Sequence, residues 1–305
     1  MNFAGKTAIV TGGAGFLGSH LVDRLLELGV NVTAVDINST KLSYVKNKIQ
    51  IVGIDISDER SFRNLEPADF IFHLAAYAVP NLCDKNPDLA FKYNVSGTFN
   101  ILKFALDTSV KKLLFPSSAL LYGKYPKYLP IDERHPIEIN SVYNATKKFG
   151  EDLCNYFIEN HKLPAVYFRL FNSFGPRQDL DYFIPTVIDQ ALKQKRVEIW
   201  NETPTRDFTF VSDTVEAFIK AASSNYVGGP INIGSGREVA VGEIARLIAG
   251  RLGAELHVLN KPVSGSMRLA CNNSLAKELI GWEPTVKFED GLNISVDWFQ
   301  KNNDS

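Results

Sequence analysis

Tyr143 and Lys147 stand four residues apart, a spacing that puts a phenol and an ammonium group on one face of a helix. A phenol with a reference pKa of about 10 is a poor base at neutral pH until positive charge favours the phenolate. Lys147 is placed to supply that charge. Ser118 follows a candidate fifth strand, at the carboxyl edge where open α/β sheets bind ligands, so its hydroxyl would polarise an oxygen held beside Tyr143. Together the three suit removal of a proton from a carbinol whose carbon gives up a hydride.

A hydride acceptor is signalled near the start of the chain by Thr11-Gly12-Gly13-Ala14-Gly15-Phe16-Leu17-Gly18. Gly12 permits a tight turn, Gly15 lets a pyrophosphate approach the backbone, and Gly18 lets a helix pack closely on a strand. The free amides at the helix start, around Phe16 and Leu17, would face the phosphates. Asp36 lies at the end of the next apolar segment, where a carboxylate accepts hydrogen bonds from the adenosine ribose and repels a 2′-phosphate. NAD is therefore the expected cofactor, in preference to NADP. Lys147 would also hold the nicotinamide ribose.

The elements that must position these groups alternate. Thr7 to Val10, Asn31 to Val35, Gln50 to Ile54, Phe70 to Leu74, Lys112 to Phe115 and Ala165 to Leu170 read as buried strands. Leu17, Leu21, Leu25 and Leu28 repeat at helical spacing, and Pro87 to Leu106 and Ser141 to Asn160 are the longest helical candidates. This alternation specifies an α/β fold, a Rossmann-type doubly wound parallel sheet. After about Phe171 the pattern is less even, with a short strand at Val197 to Trp200. The expected division is a cofactor domain over 1–171, with 205–225 returning to it, and a smaller, partly discontinuous substrate lobe over 172–305.

Composition narrows the class further. With 33 basic and 34 acidic residues in 305, the chain has no global charge that would draw it to nucleic acid or an anionic membrane. Cys83, Cys154 and Cys271 form neither a metal-ligand spacing nor a disulfide framework, so no metal is expected. No apolar run spans a bilayer and no leader-like segment precedes the first strand. A cytoplasmic protein is the expectation.

The ordered motifs resemble the extended short-chain dehydrogenase/reductase family, the NAD-dependent epimerases and dehydratases of nucleotide sugars. They are the glycine turn, Asp55-Ile56, His73-Leu74-Ala75-Ala76, Asn94 to Thr98, Ser117 to Gly123, Tyr143 to Lys147, Arg169 to Pro176, Thr205 to Phe208 and Leu279 to Pro284. The resemblance implies that Asp55 and Ile56 receive the adenine, that Leu74, Ala75 and Ala76 line the cofactor cleft, and that Asn94 is a structural or cofactor-side contact. It implies that Asn172 and Arg206 hold the diphosphate of a UDP-sugar, for which a guanidinium fork is suited. A salt bridge with Asp207 or another carboxylate is the competing reading of Arg206. His73, Trp282 and Phe288 read as packing residues.

Many dehydratases of the family place Asp-Glu directly after the residue matching Ser118, whereas Ala119 and Leu120 stand here. The resemblance therefore points to a 4-epimerase similar to the UDP-glucose 4-epimerases, working through a 4-keto intermediate. A net dehydrogenase or keto-sugar reductase would use the same three residues, and a non-catalytic regulatory protein would need only the glycine turn and Asp36. Pro262-Val263-Ser264-Gly265 lacks a phosphate-gripping arginine common in the family, a place that Arg268 would fill. A homodimer is also implied, built on the two longest helices, and the series Phe91, Val95, Phe99 and Leu102 would suit either that interface or the core.

Overall fold

In the computed structural model residues 2–38, 40–263 and 265–302 are described, so Ser264 lies outside the described residues. The strands are β1 (Thr7–Thr11), β2 (Asn31–Val35), β3 (Gln50–Val52), β4 (Phe70–His73), β5 (Lys112–Ser118), β6 (Ala165–Leu170), β7 (Asn172–Phe174), β8 (Arg196–Ile199), β9 (Thr205–Phe210), β10 (Gly228–Ile233), β11 (Glu238–Ala240) and β12 (Glu255–Val258). The helices are α1 (Phe16–Glu27), α2 (Pro80–Lys85), α3 (Pro87–Phe91), α4 (Thr98–Asp107), α5 (Val142–His161), α6 (Phe183–Gln194), α7 (Val211–Ser223), α8 (Val241–Leu252), α9 (Ser274–Ile280) and α10 (Phe288–Asn302).

Seven strands form one parallel sheet in the order β10-β6-β5-β4-β1-β2-β3. Both faces are covered, which is why its strands are near-continuous apolar runs. On one face Leu21 and Leu25 of α1 and Phe218 and Ala221 of α7 join the core of β1 and β6. On the other, Ile101 and Leu102 of α4 and Cys154 and Phe157 of α5 meet Ile9, Ile71 and Leu113. The fold is Rossmann-like. β1 lies between β2 and β4, so the chain reverses its progress across the sheet there, and a crevice opens at the strands' carboxyl ends. The outer strand β10 comes from late in the chain, and its Gly-Pro-containing segment gave no strand signal. A three-stranded sheet, β11-β9-β7, and the pair β12-β8 lie outside the large sheet.

The segment read as one helix from Pro87 to Leu106 is divided. Between α3 and α4, Lys92–Gly97 forms a π turn. The wider turn rotates α4 relative to α3, so Phe91 and Phe99 face outward while Leu102 is buried in the core. The evenly spaced apolar series thus serves two surfaces.

Candidate active site

A cavity of about 780 Å³ runs along the crevice, from Gly12, Gly15, Phe16, Leu17, Gly18 and Asp36 at one end to Ser118 and Tyr143 at the other. The glycine turn is shaped by close backbone approach. Gly12 has φ +68°, and a Cβ there would lie 2.6 Å from the Ala75 nitrogen. At Gly18 a Cβ would collide with the Gly12 carbonyl oxygen and reach within 2.9 Å of the Gly13 Cα. Gly15 is the N-cap of α1, so the helix's free amides open onto the cavity. Asp36 accepts from the amides of Ala14, at 3.0 Å, and Asn38, at 2.9 Å, which fixes its carboxylate at the mouth of the turn. These features form a cradle for a dinucleotide.

Beneath the cradle, His73 bridges the Thr11 and Thr98 hydroxyls at 2.8 and 3.0 Å. Burial, helped by Lys147, pushes its pKa down to about 3. It is a neutral, satisfied packing residue.

The candidate reactive groups are placed by two contiguous pieces of structure. Ser118 ends β5 and accepts from the Leu120 amide at 3.1 Å, capping the short turn Ala119–Tyr122. Ser141 caps α5 through the Asn144 amide, and the Asn144 side chain donates to the Leu120 carbonyl at 3.0 Å, tying the helix to that turn. Deeper in α5, Glu151 holds Arg169 of β6 through two bonds of 2.9 and 2.8 Å, both side chains buried. The helix bearing Tyr143 and Lys147 is thereby pinned to the sheet edge bearing Ser118.

Lys147 donates to the Pro116 carbonyl at 2.9 Å, and burial lowers its pKa to about 8. Burial raises the Tyr143 phenol well above its usual range, with the nearby Tyr182 adding to the rise and Ser118 opposing it. The phenol is the protonated form awaiting positive charge, and the lysine is a cation held at a cost beside it. Both are buried yet line the cavity.

The remaining candidates divide. Ile56, Leu74, Ala75, Ala76 and Asn172 line the cavity. Asp55 does not: its carboxylate is turned to Ser57 and to Lys92, at 3.1 Å, so Ile54 and Ile56 form that wall instead. Asn94, in the π turn, is also off the cavity. It accepts from the Tyr77 amide and donates to the Tyr77 carbonyl and the Thr146 hydroxyl, holding the chain after β4 against α5. Arg268 is engaged by Glu238 through bonds of 2.8 and 2.6 Å, so an ion pair already occupies the guanidinium expected to grip a phosphate.

Arg206 is different. It forms no ion pair among the described residues, donates to the Thr205 carbonyl, and burial depresses its pKa to about 10. Asp207 is not its partner, because that carboxylate accepts from the amides of Ser235, Gly236 and Cys271. Arg206 is not among the described residues that line the cavity; a guanidinium without a carboxylate among those residues is chemically suited to an anion. Tyr182, Gln178 and Asp179 line the cavity without having been singled out in the sequence, since the loop that carries them has no spacing that reports on a site.

The NAD dependent epimerase/dehydratase family profile matches residues 8–234, which takes in the glycine turn, Ser118, Tyr143 and Lys147. The chain belongs to that family. NAD is its cofactor, and the cradle at Gly12, Gly15 and Gly18, which a Cβ would fill, fits it. A UDP-glucose 4-epimerase of Mycolicibacterium smegmatis is 33% identical, over 96% of this chain and 98% of that one. UDP-glucuronic acid decarboxylase 1 of Xenopus tropicalis is 32% identical, over 97% of this chain and 72% of that one. Among solved structures, UDP-glucose 4-epimerase of Thermus thermophilus in complex with NAD superposes with a TM-score of 0.88 at 30% identity, covering 96% of this chain and 99% of that one. No described helix is long and apolar enough to cross a membrane.

Proposed function

We propose that the protein is a UDP-sugar 4-epimerase that keeps NAD bound through the reaction. The observation that carries this reading is the convergence of Ser118, Tyr143 and Lys147 on one cavity whose wall near them has Ala119 and Leu120 where an acid and base for water elimination would be needed. The acidic groups on the described wall are Asp36, at the glycine-rich end, and Asp179, bound to Lys41 at 2.8 Å. Bound NAD would supply a reversible hydride acceptor, which inversion at the sugar C4 through a 4-ketone requires. Tyr143 takes the C4 hydroxyl proton and gives it back, Ser118 hydrogen-bonds the reacting oxygen, and the Lys147 ammonium favours the phenolate. Gly12 to Gly18, Asp36, Ile56 and Leu74 to Ala76 hold the cofactor in this reading, and Asn172 and Arg206 hold the diphosphate.

The lobes divide nearly so: residues 1–171 carry the cofactor together with a return that runs through α7 and β10 and not over 205–225, because β9 pairs in the small sheet, and most of the rest of 172–305 encloses the sugar nucleotide. A homodimer fits the outward faces of α3, α4 and α5, where Phe91, Phe99, Phe149 and Tyr156 are exposed together, with Phe91 and Phe149 rings 5.8 Å apart. Three buried free thiols fit a reducing cytoplasm.

The decisive experiment incubates the purified protein with nucleotide sugars and follows C4 inversion by NMR. Inversion without net NADH is expected; net oxidation or reduction of the sugar sinks the reading. Tyr143→Phe is expected to lose about 10²–10⁴ of the turnover rate while still yielding bound NAD on extraction. Near-normal turnover in that variant would remove Tyr143 from its role.

A further inference from the structure

We infer that the sugar accepted by this cavity carries no anionic substituent, so that the substrate is a neutral nucleotide hexose and not a nucleotide uronate. The inference rests on the epimerase reading and narrows its substrate class. Among the described residues lining the cavity, Lys147 is the one cation. Its ammonium is bound to the Pro116 carbonyl and stands beside Tyr143, where the proposed chemistry needs its charge.

Of the cations that adjoin wall residues in the chain, Lys92, Lys148, Arg169 and Arg177 are held by Asp55, Asp152, Glu151 and Asp23, which leaves Arg268 and Arg206 to account for. Arg268, next to Leu269 of the wall, is neutralised by the two bonds it donates to Glu238. Arg206, two residues before Phe208 of the wall and on the same face of β9, has no carboxylate partner among the described residues. A diphosphate would take that guanidinium, because it is the strongest anion on any nucleotide sugar. No cation on the described wall is then left for a second anion.

The surroundings of Tyr143 agree. Leu120 packs against the phenol on one side and joins Phe171 and Leu269 on the other, while Val79 and Pro80 extend the same wall. The polar side chains on this part of the wall include Ser118, Tyr77, Tyr182, Asn172 and Gln178, all uncharged groups that pair with neutral hydroxyl or acylamino groups. A carboxylate at sugar C6 would be buried against these side chains without a counter-charge, which carries a large desolvation cost. Relatives acting on either kind of sugar are equally similar in sequence to this chain, so similarity alone does not make this choice.

The test uses the NAD-loaded protein with UDP-glucose, UDP-galactose, UDP-glucuronate and UDP-galacturonate, and UDP alone as the reference. Calorimetry is expected to show each neutral sugar binding at least ~30-fold more tightly than its uronate, with the uronates binding more weakly than UDP. Uronate binding as tight as that of the neutral sugar, or failure of both neutral sugars to bind, overturns the inference. Turnover is read separately. Inversion of a uronate at C4 would overturn the neutral-sugar inference and leave the epimerase reading standing. Selective binding of neutral sugars with net oxidation would support the inference and sink the epimerase reading.

Discussion

Lys147 shows how a single buried group carries both a chemical and an energetic signature. The unfolded chain holds this proton up to about 10.5, whereas in the folded protein burial lowers the pKa to about 8. Between those values the unfolded state binds more protons, so stability rises with pH, and the penalty for burying the charge is present in full below about 8. Lys147→Met removes the titration. The unfolding free energy of the native protein should therefore gain on the order of 3 kcal/mol relative to the variant between pH 8 and 10.5. Denaturant melts at half-unit steps of pH check this; parallel curves for the two proteins would contradict it. The type and spacing of Tyr143 and Lys147 were legible in the sequence because helical geometry is local. The fate of Arg268 was not, because Glu238 comes from β11, 30 residues away, and takes its guanidinium.

Elements, once paired, determine how accurately those groups are held. Helix α5 contributes Tyr143 and Lys147 from its first two turns, and its register on the sheet is fixed by the buried Glu151–Arg169 pair. Glu151→Leu leaves the Arg169 guanidinium buried without its counter-charge. It is expected to destabilise the fold by about 3–5 kcal/mol, read from urea unfolding midpoints. A change below about 1 kcal/mol would mean that α5 is anchored by apolar contacts alone. The glycine turn is constrained more tightly still. Gly18→Ala forces a methyl into the Gly12 carbonyl, so the variant should lose bound NAD on purification and melt at a lower temperature. Retention of a full complement of NAD would show that the turn can open without loss.

The division of the Pro87 to Leu106 helix marks the limit of periodicity at this scale. A π turn inserts one residue into the helical count, and apolar spacing does not signal it. Its consequence reaches the next scale, because it puts Phe91 and Phe99 on the outside.

For the whole molecule, the outward aromatic face of α3, α4 and α5 and the contacts of the loop after β7 matter most. Phe99→Glu combined with Phe149→Glu should convert a dimer to a monomer by light scattering while leaving the far-ultraviolet circular dichroism unchanged, since both rings are exposed in the single chain. A native protein that is monomeric at micromolar concentration would contradict the proposed interface. On the other side of the molecule, Lys41 meets Asp179, and Arg177 meets Asp23 at 2.7 Å and the Tyr44 hydroxyl at 2.6 Å. These bonds join α1 and the segment after β2 to the loop after β7.

The alternating α/β fold, the NAD cradle and the placing of Tyr143 and Lys147 on one helix face could be read from the order of residues alone. Each of these depends on local rules: the alternation of strands and helices, glycines where a Cβ has no room, and a four-residue repeat on one helix face. It took the folded chain to reveal that Asp55 turns away from the cavity, that β10 returns to the edge of the large sheet, and that among the described residues Arg206 stands without a carboxylate while Arg268 has one. Those outcomes depend on which side chains, far apart in the chain, compete for the same partner. Charge and hydrogen-bond pairing are settled by distance in space, and residue spacing along the chain does not encode that distance.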